Sequence, residues 1–280
     1  MKKYSIGQIF LHLFLLMFVI AAIIPFLNMI TVSLIPNSYI LPTKPQILPE
    51  SFKAISFVNY KKVWGRESFG RYFLNSVFVS SMATILTMFV STLSAYGFAR
   101  LNFKGKKIIF NLYVFSLMMP AVLAIISQFT VLQKLKLINT YTGLILLYVS
   151  GGVAGNTFFL KGFFETIPKE LEESVIMDGG SRWTIYRHII LPLSKPALGT
   201  LAIGVFTGTW MEVFTALVVL TSKSKRTLPI AMKLLQNGRA TEWGLIFAGS
   251  IIVLIPILII FIIFNKQFIK RSGAEGAVKG

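Results

Sequence analysis

The 280-residue chain contains no cysteine, only two histidines and only ten acidic residues. Without thiols it has no disulfide framework, thiolate metal site or thiol nucleophile. His12 lies in the first apolar run and His188 in a polar loop, too far apart in sequence to suggest a metal pair, and each reads as a packing or interfacial residue. The phosphate-loop pattern G-x4-G-K-[ST] is missing, because neither Gly151-Gly152 nor Gly179-Gly180 is followed by the required Lys-Ser/Thr pair. No H-E-x-x-H and no nucleophile elbow occurs either. The expectation is a non-enzymatic chain without catalytic or metal residues, without a cofactor of its own and without a nucleic-acid partner.

What the chain has in excess is apolar length. Hydrophobic residues make up 55% and charged residues 14%, with a mean hydropathy of +0.73, too apolar for a soluble domain of this size. The reading is an all-α integral membrane protein, a single transmembrane domain over 1–280 with lipid around it. Six apolar stretches, about 9–34, 72–99, 108–132, 141–164, 196–220 and 244–264, each reach the ~20 residues that cross a bilayer. The first is longer than the apolar core of a signal peptide and no small-x-small cleavage site closes it, so it is expected to be retained. Pro25 is expected to kink it. Pro36, Pro42, Pro45 and Pro49 forbid a long helix before Asn59 and make the segment before the second span a loop. Six spans leave both termini on the same side, read as cytoplasmic. Lys and Arg divide almost evenly between the two sides, so the charge rule does not fix the orientation.

The segment 165–195 is the polar island in this chain. Glu165, Glu170, Glu172, Glu173 and Asp178 hold half of its acids. Pro168 suits a helix start, and the glutamates that follow suit the positive end of the helix dipole. Leu171, Ser174, Val175 and Asp178 recur at helical spacing as one narrow face. Gly179 and Gly180 suit a left-handed helix stop, and Ser181 an N-cap for a second helix from Arg182 to His188. Pro192 is expected to close the unit. This is a helix, a glycine elbow and a helix, shaped either as a knob for a socket or as an amphipathic connector on the membrane surface.

The run Glu173-Ser174-Val175, three residues, Gly179, nine residues, then Ile189-Ile190-Leu191-Pro192 resembles the EAA motif, Glu-Ala-Ala-x3-Gly-x9-Ile-x-Leu-Pro, of permease subunits in binding-protein-dependent ABC importers. NTFFLKGFFETIPKELEESVIMDGGS, ILPLSKPAL and the terminal GAVKG look like the smaller membrane subunit of maltose-type carbohydrate permeases. Ser174 and Val175 depart from the two alanines; Ser keeps the small size and Val adds bulk. The resemblance implies a type I importer fold with a cytoplasmic coupling loop over 165–195. It implies four kinds of partner or surrounding: a second homologous permease subunit, two ATP-binding subunits holding ATP and Mg, an extracytoplasmic sugar-binding protein, and bilayer lipid. ATPase coupling would fall to Glu170, Glu173, Ser174, Val175, Asp178, Gly179, Ile189, Leu191 and Pro192. Contact with the binding protein would fall near Leu235, Gln236, Asn237 and Gly238, and the tail from Ser272 would reach the ATPase interface.

Glu212 is the only charge well inside a span, and lipid makes that position costly. Its neighbourhood resembles the family's Trp-Asn-Glu, with Trp210 and Glu212 matching and Met211 departing. Two readings stand: a hydrogen bond to the partner subunit, or a lining residue of the translocation path. Gly204 and Gly208 form a small-x3-small pattern suited to close helix packing. A rival function is a secondary transporter or channel that uses Glu212 as coupling carboxylate. A basic exterior, with Lys61, Lys62, Arg71, Lys223, Lys225 and Lys233 in it, suits either a general basic background or an acidic cargo such as a uronate oligosaccharide.

Overall fold

The computed structural model describes residues 6–36, 38, 45–49, 55–65, 68–236 and 242–277. Among these every regular element is helical. The chain forms two compact units, residues 1–70 with 231–255 and residues 71–230 with 256–280.

In the first unit, α1 (Ile6–Ser33) is apolar on every side and exposed along nearly its whole length, with Pro25 inside it. A helix without a polar face needs lipid or another chain around it. It is fastened at its C-terminal end. Asn59, on α2 (Val58–Gly65), donates from Nδ2 to the carbonyls of Ser33 and Ile35 at 2.9 and 2.8 Å, satisfying acceptors that the helix end leaves free. The Ser33 and Tyr60 hydroxyls meet at 2.8 Å beside them. Gly244, near the start of α13 (Trp243–Ala277), packs so tightly here that a Cβ would fall 2.6 Å from Asn59 Nδ2.

The second unit is built on two long helices, α3 (Phe69–Arg100) and α6 (Tyr141–Glu165). Between them in the chain lie α4 (Lys106–Leu117) and α5 (Ala121–Lys134). After them come α7 (Glu170–Met177), α8 (Arg182–Ile185), α9 (Leu191–Leu193), α10 (Lys195–Met211) and α11 (Phe214–Val219), and then the start of α12 (Leu228–Gln236), whose residues from Ala231 belong to the first unit. One apolar cluster joins Val79, Ala83, Leu144, Ala216, Leu220 and Ile230. A second joins Ala95, Tyr96, Leu160, Phe164, Ile185, Ile190 and Ala197. The second cluster seats the polar island on the ends of α3 and α6.

Of the six stretches expected as spans, four form uninterrupted helices and the other two are broken. Gly7–Ser33, Phe69–Arg100, Tyr141–Glu165 and Trp243–Phe264 are long and apolar enough to cross a membrane, and a fifth crossing arises if the pair Arg182–Leu193 and Lys195–Met211, bent by 76°, counts as one. The stretch expected as a helix over 108–132 breaks between α4 and α5, where Pro120 lacks an N–H and holds extended backbone at ψ 120°. The stretch 196–220 breaks at Glu212, whose ψ of 128° ends α10 before α11 begins.

Candidate functional site

The polar island folds as a helix, an elbow and a helix, with corrections of detail. Regular helix α7 begins at Glu170, two residues after Pro168, and the N–H groups of Glu172 and Glu173 donate to the Lys169 carbonyl. It stops because Gly179 adopts φ +79°, which side-chain-bearing residues avoid. Gly180 then donates to the Val175 carbonyl at 2.8 Å, the reach-back bond of a left-handed cap. A Cβ on Gly180 would meet Val175 Cγ1 at 2.4 Å and its carbonyl oxygen at 2.7 Å. Both glycines are required, the first for conformation and the second for space. Ser181 caps α8 by accepting from the Thr184 N–H at 3.2 Å.

Beyond α8 the chain widens into a π-type turn over Tyr186–Ile190 and continues helically through Pro192 to Leu193, so Pro192 does not close the unit. The wider turn accommodates a proline ring that would clash with the carbonyl four residues back in a regular helix. Ile189 and Leu191 pack against the second apolar cluster, and the bend follows at Ser194.

The face that α7 turns inward is not the narrow one of Leu171, Ser174, Val175 and Asp178. Leu171, Ser174 and Asp178 are exposed, Val175 is half-buried, and Glu172 is buried. Glu172 is drawn in by Arg100, the last residue of α3: Arg100 Nε and Glu172 Oε1 lie 2.5 Å apart. Arg100 also donates from Nη2 to the Ile167 carbonyl, and Arg182 Nη1 lies 4.0 Å from Glu172 Oε2. Two tyrosines complete the attachment. Tyr96 donates to the Arg182 carbonyl at 3.2 Å, and the Tyr186 hydroxyl meets Thr92 at 2.9 Å. Burial pushes the Tyr186 hydroxyl above its ordinary pKa, so it serves as a neutral hydrogen-bonding group. Arg100, Glu172, Tyr96, Tyr186 and Thr92 were missed by sequence reasoning. The available signal was slight: an arginine that ends an apolar span, 65 residues before the acid-rich island begins.

What remains outward on the elbow is apolar. Met177 is 87% exposed, and Trp183, Ile176 and Leu171 are exposed with it, alongside Glu170, Glu173 and Ser174.

Glu212 stands at the break between α10 and α11 and is engaged within the chain. Its carboxylate accepts from the Tyr148 hydroxyl at 2.8 Å and from the N–H groups of Thr215 and Ala216 at 2.7 and 3.1 Å. Trp210 is fully buried in the chain's own core, edge-on to Phe73 and stacked on Phe206. Gly204 and Gly208 are exposed, and a Cβ at either would meet nothing within 4 Å. Leu235 and Gln236 belong to helix α12, whereas Asn237 and Gly238 lie outside the described residues, as does the end of the tail from Val278.

Residues 87–272, which include the elbow, the π-type turn and the Glu212 break, match the family described as binding-protein-dependent transport system inner membrane components. The chain belongs to this family. It is therefore an ABC-type permease, a multi-pass membrane subunit whose ATP hydrolysis is the work of partner ATPases. This permease is 33% identical to the arabinooligosaccharides transport system permease protein AraQ of Bacillus subtilis, over 99% of this chain and 98% of the relative. It is 32% identical to the trehalose/maltose transport system permease protein MalG of Thermococcus litoralis, across the whole of both chains. The probable ABC transporter permease protein YurM of Bacillus subtilis is 33% identical over all of this chain and 91% of its own. A chain in the crystal structure of a bacterial ABC transporter for the acidic polysaccharide alginate shares the fold, at a TM-score of 0.80 and 21% identity. That match covers 96% of this permease and all of the other chain.

Proposed function

We propose that this permease is one of two homologous membrane subunits of a sugar importer, fed by an extracytoplasmic binding protein and driven by two ATP-binding subunits. Several relatives at 30% identity or more are named for oligosaccharides or disaccharides, which supports a short glycan as cargo. Both termini and the elbow face the cytoplasm in this reading, because the elbow must reach the ATPases.

One observation carries the docking role. The elbow is held rigidly on its inner side by a buried ion pair, yet it presents Met177, Trp183, Ile176 and Leu171 outward. Exposed apolar groups on a rigid knob suit a protein socket. Glu170, Glu173, Ser174, Val175, Asp178 and Gly179 shape and rim that knob, while Ile189, Leu191 and Pro192 seat its second half. Closure of the ATPase dimer would be passed through it to α3 and α10 as rigid-body motion. Gly204, Gly208 and the exposed length of α1 offer faces for the second permease and for lipid. Leu235, Gln236, Asn237 and Gly238 remain the proposed region of contact with the binding protein.

The test is to purify the permease with its partner subunits and measure ATP hydrolysis as binding protein and sugars are added. Maltotriose, arabinotriose, galactotriose and a mannuronate trimer cover neutral and acidic cargo. Stimulation by one class supports the importer and names its cargo; a complex that retains no ATPase overturns the docking role.

A further inference from the structure

We infer that this permease carries its own subsite for one neutral ring of the cargo, in the cavity where α5 and α6 meet the break between α10 and α11. The inference rests on the sugar-importer reading. The cavity measures about 470 Å³, within the range of small-molecule sites. Gln128 of α5, Tyr148 and Gly151 of α6, and Glu212 and Phe214 at the break are among its walls.

The backbone points to this place first. An interrupted span leaves backbone N–H groups without helical partners, and at membrane depth that is tolerated only inside protein or along an aqueous cavity. Here the interruption borders a cavity, and Glu212 caps the freed N–H groups of Thr215 and Ala216. A span needed only for packing would gain nothing from the break.

The chemistry of the walls then selects the occupant. A sugar ring presents hydroxyls around its edge and C–H groups on its faces, so its site needs fixed polar atoms beside an apolar plane. The Gln128 amide offers donor and acceptor and has no hydrogen-bond partner among the described residues. Glu212 accepts two bonds at Oε2 and one at Oε1, which leaves acceptor capacity on a carboxylate that has about four lone-pair sites. Tyr148 donates its proton to Glu212, so its oxygen remains free to accept. Phe214, 54% exposed, supplies an apolar plane. Among the described residues no cation lines the cavity, and the carboxylate in its wall opposes an anionic ligand. The site therefore fits a neutral pyranose or furanose ring and disfavours a uronate.

The chain's lack of cysteine makes the test direct. Gln128→Cys and Gly151→Cys each place one thiol in the cavity wall, and a Cβ at Gly151 meets nothing within 4 Å, so the second variant is sterically free. In the assembled complex, both thiols are exposed to a water-soluble methanethiosulfonate reagent and labelling is read by the mass of this chain. Maltotriose, arabinotriose or galactotriose, whichever stimulates ATP hydrolysis, is expected to slow labelling at both positions about fivefold near saturation, and the mannuronate trimer is not. Unchanged labelling under a sugar that stimulates hydrolysis overturns the subsite and leaves the importer standing. Thiols that label only after denaturation overturn it too, since a partner subunit then fills the cavity. Equal protection by the mannuronate trimer refutes the preference for a neutral ring. If no sugar stimulates hydrolysis, the importer reading falls and the subsite falls with it.

Discussion

Arg100 and Glu172 form an ion pair 2.5 Å apart, with only 3% and 6% of their side chains exposed, and so join the end of the α3 span to the helix that carries the elbow. Removing Glu172 leaves Arg100 buried without its counter-charge, and removing Arg100 leaves Glu172 only Arg182 at 4.0 Å, at a cost of about 3 kcal/mol or more. Arg100→Ala is expected to detach α7 from α3, so that ATP hydrolysis persists while sugar uptake falls about tenfold. The double change Arg100→Glu with Glu172→Arg should restore a measurable part of uptake, as either single change does not. Coupled uptake at the parental level in Arg100→Ala would show that the pair does not transmit motion.

Gly179 and Gly180 should fail differently. Gly179→Asp places a side chain at φ +79°, and is expected to uncouple ATP hydrolysis from transport while membrane insertion is retained. Gly180→Ala drives a methyl into Val175, so the cap itself should open. Proteolysis at 175–185 in membranes distinguishes them: faster cleavage is expected for Gly180→Ala, and adding Val175→Ala should recover little resistance, because the Val175 carbonyl oxygen still lies 2.7 Å from the added methyl.

Glu212→Ala removes the cap of α11 and strands two N–H groups, and is expected to cost about 1–2 kcal/mol. Glu212→Gln keeps an acceptor oxygen and should leave the yield and melting temperature of the complex close to the parent. A Glu212→Gln complex as unstable as Glu212→Ala would mean that the negative charge itself, and not the acceptor geometry, holds the break.

Asn59→Ala breaks two hydrogen bonds to the end of α1 and should cost about 1–3 kcal/mol locally. The expected result is faster amide exchange over residues 31–36, with exchange in α6 unchanged.

Apolar length and turn chemistry were legible in the sequence wherever a local rule decides the structure. Gly179 and Ser181 take the conformations expected of them because φ and cap chemistry are set by neighbouring residues. The spacing from Glu173 to Pro192 led to the family that the match over 87–272 establishes. What did not read out was set by partners distant in sequence. Nothing local to α7 says that Glu172, rather than the face of Leu171 and Asp178, turns inward; Arg100 decides it. Likewise hydropathy runs unbroken through Met118–Pro120 and Glu212, because it records composition and not hydrogen bonding, although Pro120 itself was a local sign of the first break. Trp210 looked like part of the Glu212 pattern, yet Phe73 and Phe206 place it in the core.

The π-type turn at Tyr186–Ile190 makes residue count act as gearing. In an α-helix each residue advances the chain by about 100° around the axis, so one residue removed outside the widened turn, which already absorbs an extra one, would swing everything beyond it by that angle. The nine residues between Gly179 and Ile189 thus set the phase in which Leu191 and Pro192 lead into α10. A permease of this design tolerates exchange of many side chains between the elbow and the bend, but a single deletion there, outside the widened turn, would point the next span at the wrong neighbour.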